Sequence, residues 1–94
     1  VTVYLVGAGP GDPGLLTVRG RALVEAADAL VYDRLADPRI VDLAPASAEM
    51  VYAGKRPGDH AMTQEAITAR LLGLGRRHET VVRLKGGDPF IFGR

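Results

Sequence analysis

Asp33 stands directly after Tyr32 at the end of one apolar run, and Lys55 and Arg56 stand directly after Gly54 at the end of another. A carboxylate and an amine displayed just beyond strand ends can accept and donate protons, provided that a substrate comes within hydrogen-bond reach of both. Arg34 and Arg56 add positive charge suited to gripping carboxylates through charge-assisted hydrogen bonds. Each has a plainer use as well: Asp33 can pair with neighbouring Arg34, and Lys55–Arg56 can be a solvated loop dipeptide.

Two glycine-rich turns carry chemistry of a different kind. In KGGDP, residues 85–89, Gly86 and Gly87 permit close backbone approach, Asp88 can accept hydrogen bonds from hydroxyls, and Pro89 fixes the next turn. That combination suits a ribose or an amino-acid amine. Phe90, Ile91 and Phe92 add an apolar wall that can pack on an adenine, with core anchoring the plainer use of at least one phenylalanine. GAGPGD, residues 7–12, invites a dinucleotide reading, with Asp33 where a ribose-binding acid belongs. Pro10 removes a backbone donor, however, and Asp12 puts negative charge where a diphosphate would approach a helix N-terminus. A ligand without phosphates fits that turn better, and a purely structural tight turn remains open.

The elements that must position these residues follow from periodicity. Short apolar runs at Val1–Val6, Ala29–Tyr32, Met50–Ala53 and Thr80–Leu84 read as strands, the first of them buried on both faces of a parallel sheet. Thr17 caps a helix that places Val18, Ala22, Leu23 and Ala26 on one face. Asp37 and Pro38 start a short helix carrying Ile40 and Leu43, stopped by Pro45. Thr63 caps a third helix with Ile67, Leu71 and Leu74 inward and Gly75 after its last turn. Strands alternating with helices predict an α/β fold, an open and mainly parallel sheet with helices on both faces. All four unusual loops then fall at the carboxyl edge of the sheet, where ligand sites of such folds form.

Composition removes several function classes. Twelve Lys and Arg against eleven Asp and Glu leave a net charge of +1, without the basic field of a nucleic-acid binder. No cysteine is present, and His60 and His78 lack metal-ligand spacing, which argues against a metal enzyme. His60, in a turn before Thr63, is assigned no chemistry, and Arg76 and Arg77 are read as surface. No run approaches the roughly 20 apolar residues of a membrane span, and Val1–Ala8 is too short for a signal peptide's apolar region. A soluble, cytoplasmic protein is expected.

The order and wording of the loops resemble one family, the tetrapyrrole methylases, and within it the uroporphyrinogen-III C-methyltransferases. VGAGPGDPGLLTVRG (6–20) resembles the first family signature and VVRLKGGDPFIFGR (81–94) the second, with ADALVYDRL (27–35) and AGKR (53–56) between them in the expected order. Precorrin methylases, diphthine synthase and a ribosomal-RNA ribose methylase share the glycine-proline turn, whereas YDRL and GKR point to the uroporphyrinogen member. Thr63 and Thr68 depart from the family's proline and asparagine without touching a proposed site residue.

The resemblance implies S-adenosylmethionine as cofactor, in a cleft between two α/β domains, against Pro10, Gly86, Gly87, Asp88 and Ile91, with no metal. It implies Asp33 as proton acceptor, Lys55 as proton donor, and Arg34 and Arg56 as contacts for the carboxylates of uroporphyrinogen III. Two methylations, through precorrin-1, would give precorrin-2 on the way to sirohaem and cobalamin. Residues 1–94 would be an incomplete N-terminal domain lacking the second domain, and inactive alone; the whole enzyme would be a homodimer. A non-catalytic binding module for a tetrapyrrole or nucleotide is the alternative, against which Asp33 and Lys55 speak, since neither is needed merely to hold a ligand.

Overall fold

The computed structural model describes residues 2–8, 16–54 and 62–86. Four strands and three helices alternate: β1 (Thr2–Gly7), α1 (Val18–Glu25), β2 (Ala29–Tyr32), α2 (Pro38–Val41), β3 (Glu49–Tyr52), α3 (Gln64–Gly75) and β4 (Thr80–Lys85). Every strand pair is parallel and the spatial order is β1-β4-β2-β3. The expected α/β class and the helices on both faces are found. Among the described residues no helix is long and apolar enough to cross a membrane.

Alternation along the strands splits the core into two layers. Leu30, Val82, Leu84 and Val6 point to one face, where they pack with Val24 of α1, with Ala27 just after it and with Ile40 of α2. Ala29, Val31 and Val81 point to the other, where Ile67, Leu71 and Leu74 of α3 cover them. Leu30, Ile40, Leu74, Leu84 and the neighbouring valines are fully buried, each contributing about 1.5–3 kcal/mol relative to exposure. The chain moves in one direction across the sheet from β1 through β2 to β3 and reverses to reach β4. Crossovers of a single hand then require the helix to change faces at the reversal, as α3 does.

Local signals work as expected at the helix starts. The Thr17 hydroxyl accepts from the Gly20 N–H at 2.9 Å, the Asp37 carboxylate from the Arg39 N–H at 2.8 Å, and the Thr63 hydroxyl from the Ala66 N–H at 3.1 Å. Each satisfies a donor that the first helical turn would otherwise leave open.

Two helix ends differ from expectation, α2 stopping at Val41 short of Leu43 and α3 including Gly75 with Arg76 as its C-cap, and three larger expectations need correction. The buried face of α1 is Gly20, Leu23 and Val24, continuing to Ala27, rather than Val18, Ala22, Leu23 and Ala26; Val18 is 89% exposed. The reason is Gly20, which lies so close to Val6 and Leu16 that it, not an apolar side chain, faces the sheet. β1 is buried on one face only: Val6 is covered, but Leu5 is 79% exposed, because the inward side chains of α3 pack on Ala29, Val31 and Val81 and not on Leu5. β3 runs from Glu49 to Tyr52, one residue earlier than the apolar run, since the Glu49 N–H joins the ladder by donating to the Asp28 carbonyl at 2.9 Å.

Candidate active site at the carboxyl edge of the sheet

The carboxyl ends of the four strands are laced side by side. The Ala8 N–H, just past β1, donates to the Lys85 carbonyl of β4 at 2.8 Å, and the Ala53 N–H, just past β3, donates to the Tyr32 carbonyl of β2 at 2.7 Å. Between β4 and the turn after β2 the link is steric. Gly86 is buried with its α-carbon against Leu35 and the Ala36 nitrogen, closely enough that a β-carbon there would collide with both. The glycine is thus required by the approach of one loop backbone to another.

That turn carries Asp33. Its carbonyl accepts from the Ala36 N–H at 3.2 Å, and its Oδ1 accepts from the Leu35 N–H at 3.0 Å, the arrangement by which an aspartate closes a turn on its own side chain. Oδ2 faces Nη2 of Arg83 at 3.7 Å, an ion pair longer than a hydrogen bond. Arg83 in turn donates from Nη1 to the Leu84 carbonyl at 2.8 Å. The local alternative, Asp33 paired with Arg34, is not what forms. Arg34 is exposed and makes no ion pair among the described residues.

α2, which follows β2, and α3, which follows β3, pack on opposite faces of the sheet, and the crevice characteristic of such switch points belongs between these two strand ends. Tyr32 and Tyr52, paired in register, meet edge to face there with ring centroids 5.4 Å apart. An open cleft of about 360 Å³ lies beside them, lined by Tyr32, Asp33, Arg34, Ala36 and Tyr52 with Pro38, Val41 and Asp42 in and just after α2. An aromatic wall flanked by two carboxylates and one guanidinium suits a flat, partly apolar ligand, with Arg34 the one lining group that can pair with an acidic substituent.

The sequence of the chain matches the model of the Tetrapyrrole (Corrin/Porphyrin) Methylases over residues 2–94. The chain belongs to the tetrapyrrole methylases. Among curated members of this family it is 58% identical over 92 residues to a siroheme synthase of Ectopseudomonas mendocina, covering 98% of this chain and 20% of that protein. It is 56% identical to a uroporphyrinogen-III C-methyltransferase of Synechocystis sp., covering 98% of this chain and 35% of the relative. Among solved structures, a uroporphyrin-III C-methyl transferase of Thermus thermophilus complexed with S-adenyl homocysteine superposes with a TM-score of 0.77 at 53% identity, over 98% of this chain and 38% of that one. The chain therefore spans about a fifth to two fifths of the length of the methylases it matches.

Of the residues singled out in the sequence, the structure brings Asp33, Arg34 and Gly86 to one edge of this tetrapyrrole methylase domain. Pro10, Lys55, Arg56, Gly87, Asp88 and Ile91 lie outside the described residues. Sequence reasoning missed Arg83 and the tyrosine pair. Arg83 did leave a signal: a charge in the middle of VVRLK, in a strand expected to be covered on both faces, demands a partner. Tyr52 offered none, because its meeting with Tyr32 depends on the register of β2 against β3.

Proposed function

We propose that this chain is part of an S-adenosylmethionine-dependent uroporphyrinogen-III C-methyltransferase that makes precorrin-2 through precorrin-1, for sirohaem or cobalamin. One observation carries the reading: the likeness, over 98% of this chain, to the Thermus thermophilus enzyme complexed with S-adenyl homocysteine. The geometry of the Asp33 turn supports it. A site that transfers a methyl to carbon needs a base beside its cofactor. Gly86, the described member of the proposed cofactor set, packs directly on the turn that fixes Asp33.

S-adenosylmethionine, when bound, supplies an activated methyl group on a sulfonium. Pro10, Gly86, Gly87, Asp88 and Ile91 would hold it, together with a second domain of the longer polypeptide. Each methyl gained by a pyrrole carbon releases one proton, and the Asp33 carboxylate takes it. Lys55, in the segment that follows β3, is the proton donor: it protonates another ring atom as the product tautomerises, a second ring proton leaving in exchange, so that one proton is released per methyl. Arg34, at the rim of the cleft, and Arg56 orient the substrate's carboxylates. The reading extends to a cytoplasmic homodimer of the longer chain.

The deciding experiment is a calorimetric titration of S-adenosylhomocysteine, with NAD as control, into residues 1–94 and into a polypeptide extended through the second domain. Tight binding by the extended polypeptide alone is expected, as is turnover of uroporphyrinogen III by it alone. NAD binding equal to that of S-adenosylhomocysteine would return the glycine turn to the dinucleotide reading. In the extended polypeptide Asp33→Asn keeps cofactor affinity and loses rate; unchanged turnover would remove Asp33 as the base.

A further inference from the structure

Arg83 is the residue of this site that neither its position in the chain nor the strand pattern explains. β4 is the inner strand between β1 and β2, and Val81, Val82 and Leu84 around Arg83 are fully buried. The Arg83 side chain is itself only 11% exposed. Its register neighbours are Leu5 on β1 and Val31 on β2, so no carboxylate sits level with it in the sheet. A guanidinium desolvated to this extent is costly unless it is compensated, and an apolar residue would serve the sheet better. The compensating group is Asp33, one step beyond the end of β2, whose side chain is 21% exposed.

We propose that Arg83 is the positioning residue for Asp33: anchored by the Leu84 carbonyl, it fixes the orientation of the Asp33 carboxylate toward the reacting carbon. This rests on the reading of Asp33 as the proton acceptor. Two restraints then define the carboxylate plane, the Leu35 N–H on Oδ1 from the turn's own backbone and Arg83 on Oδ2 from across the sheet. With the turn alone the carboxylate keeps one restraint and swings about it. Arg83 itself touches neither substrate nor cofactor in this scheme. Its planar fork lets one nitrogen hold the Leu84 carbonyl while the other faces Asp33, a division of labour that a lysine ammonium on a flexible stem performs less well.

The test uses the extended polypeptide, with Arg83→Gln, Arg83→Lys, Asp33→Asn and the double variant Asp33→Asn/Arg83→Gln. Arg83→Gln is expected to lower kcat by roughly tenfold to a hundredfold, the scale of losses from small misplacement of a reacting group. KM for uroporphyrinogen III and affinity for S-adenosylhomocysteine should stay within about threefold, as for an interaction used only in the transition state. Arg83→Lys should recover part of the rate. Once Asp33 is asparagine, adding Arg83→Gln should cost nothing more, because the two act as one unit. A purely structural Arg83 would instead give losses that add to those of Asp33→Asn, and that outcome overturns the proposal. So does a rise in KM with kcat unchanged, which would make Arg83 a substrate contact. If Arg83→Gln does not fold, Arg83→Lys decides alone: kcat lowered at constant KM supports positioning, and wild-type kcat overturns it. A wild-type polypeptide that binds S-adenosylhomocysteine but never methylates uroporphyrinogen III overturns the proposed function and the role of Arg83 with it, whereas an active wild type with unchanged Arg83 variants overturns the role alone.

Discussion

Replacing Gly86 with alanine separates two reasons for a glycine at the site: room for a ligand, or room for the rest of the chain. A β-carbon at Gly86 would lie against the Leu35 β-carbon and carbonyl carbon and 2.7 Å from the Ala36 nitrogen. Non-bonded atoms rest at about 3.5–4.0 Å, so one of the two segments must give by roughly 1 Å. Two of the atoms met belong to the backbone, and no change of rotamer relieves them. Overpacking of this kind costs about 1–3 kcal/mol, on the order of a tenfold to a hundredfold fall in the ratio of folded to unfolded chains. The segment displaced is the one whose Leu35 and Ala36 N–H groups hold Asp33, and a shift of about 1 Å there is enough to cost roughly a hundredfold in rate. Denaturant unfolding of the extended polypeptide without ligand should show a lower midpoint at unchanged m-value, and kcat should fall in parallel. Unaltered stability without ligand, combined with weakened S-adenosylhomocysteine binding, would refute the packing argument and leave Gly86 as a ligand contact only.

Two helical glycines should respond with opposite signs. Gly20→Ala brings a β-carbon to 2.9 Å from the Thr17 hydroxyl and 3.1 Å from Val6 and should destabilise by about 1 kcal/mol, while Gly73→Ala, with nothing within 4 Å, should stabilise by about 0.5–1 kcal/mol; equal signs in thermal unfolding would contradict the close approach of α1 to β1. Arg34→Gln should raise KM for uroporphyrinogen III severalfold at constant kcat, as loss of uniform binding does; an unchanged KM would leave Arg34 as surface. The Glu49 carboxyl is held below its ordinary value of 4.5 by the hydrogen bond with His78, against desolvation and with help from Arg77. A carboxyl more acidic in the folded than in the unfolded chain stabilises the fold above its ordinary value and ceases to do so as pH falls through the depressed one. Glu49→Gln should therefore flatten the stability profile below about pH 4.5, and an acid limb identical to wild type would show that the cluster contributes nothing.

What was legible in the sequence was what neighbouring residues decide. Thr17, Asp37 and Thr63 cap their helices because a side-chain oxygen reaches donors two or three residues on. Ile67, Leu71 and Leu74 sit one turn apart and bury together. The convergence of loops at the carboxyl edge was legible too, because parallel strands joined by helices all end on the same side. Misreadings arose where the deciding neighbour is remote. The inward face of α1 is set by Gly20 against Val6 of β1, and glycine carries no hydrophobic signal. Glu49 sits in a strand because His78, Arg77 and Arg70, between 21 and 29 residues further on, satisfy its carboxylate at 2.9–3.4 Å. Asp33 found Arg83 rather than Arg34 because β4 inserts beside β2, a placement that no local pattern encodes.

That insertion ties the site to the closure of the fold. β1 pairs with β4 and with neither β2 nor β3, so among the described strands only β4 connects the first strand to the β2–β3 pair. Until β4 enters, Ala8 lacks the Lys85 carbonyl, the Asp33 turn lacks the Gly86 backbone that buttresses it, and the Asp33 carboxylate lacks Arg83. All three depend on contacts spanning 50 residues or more of chain, which are entropically late to form. Local residues thus suffice to fold the Asp33 turn on its own backbone, through the Leu35 and Ala36 N–H groups. Its orientation and its neighbours arrive with the strand that completes the sheet. The guanidinium that the sheet would be more stable without enters on that same strand, which is the arrangement expected where a buried charge is kept for what it holds in place rather than for stability.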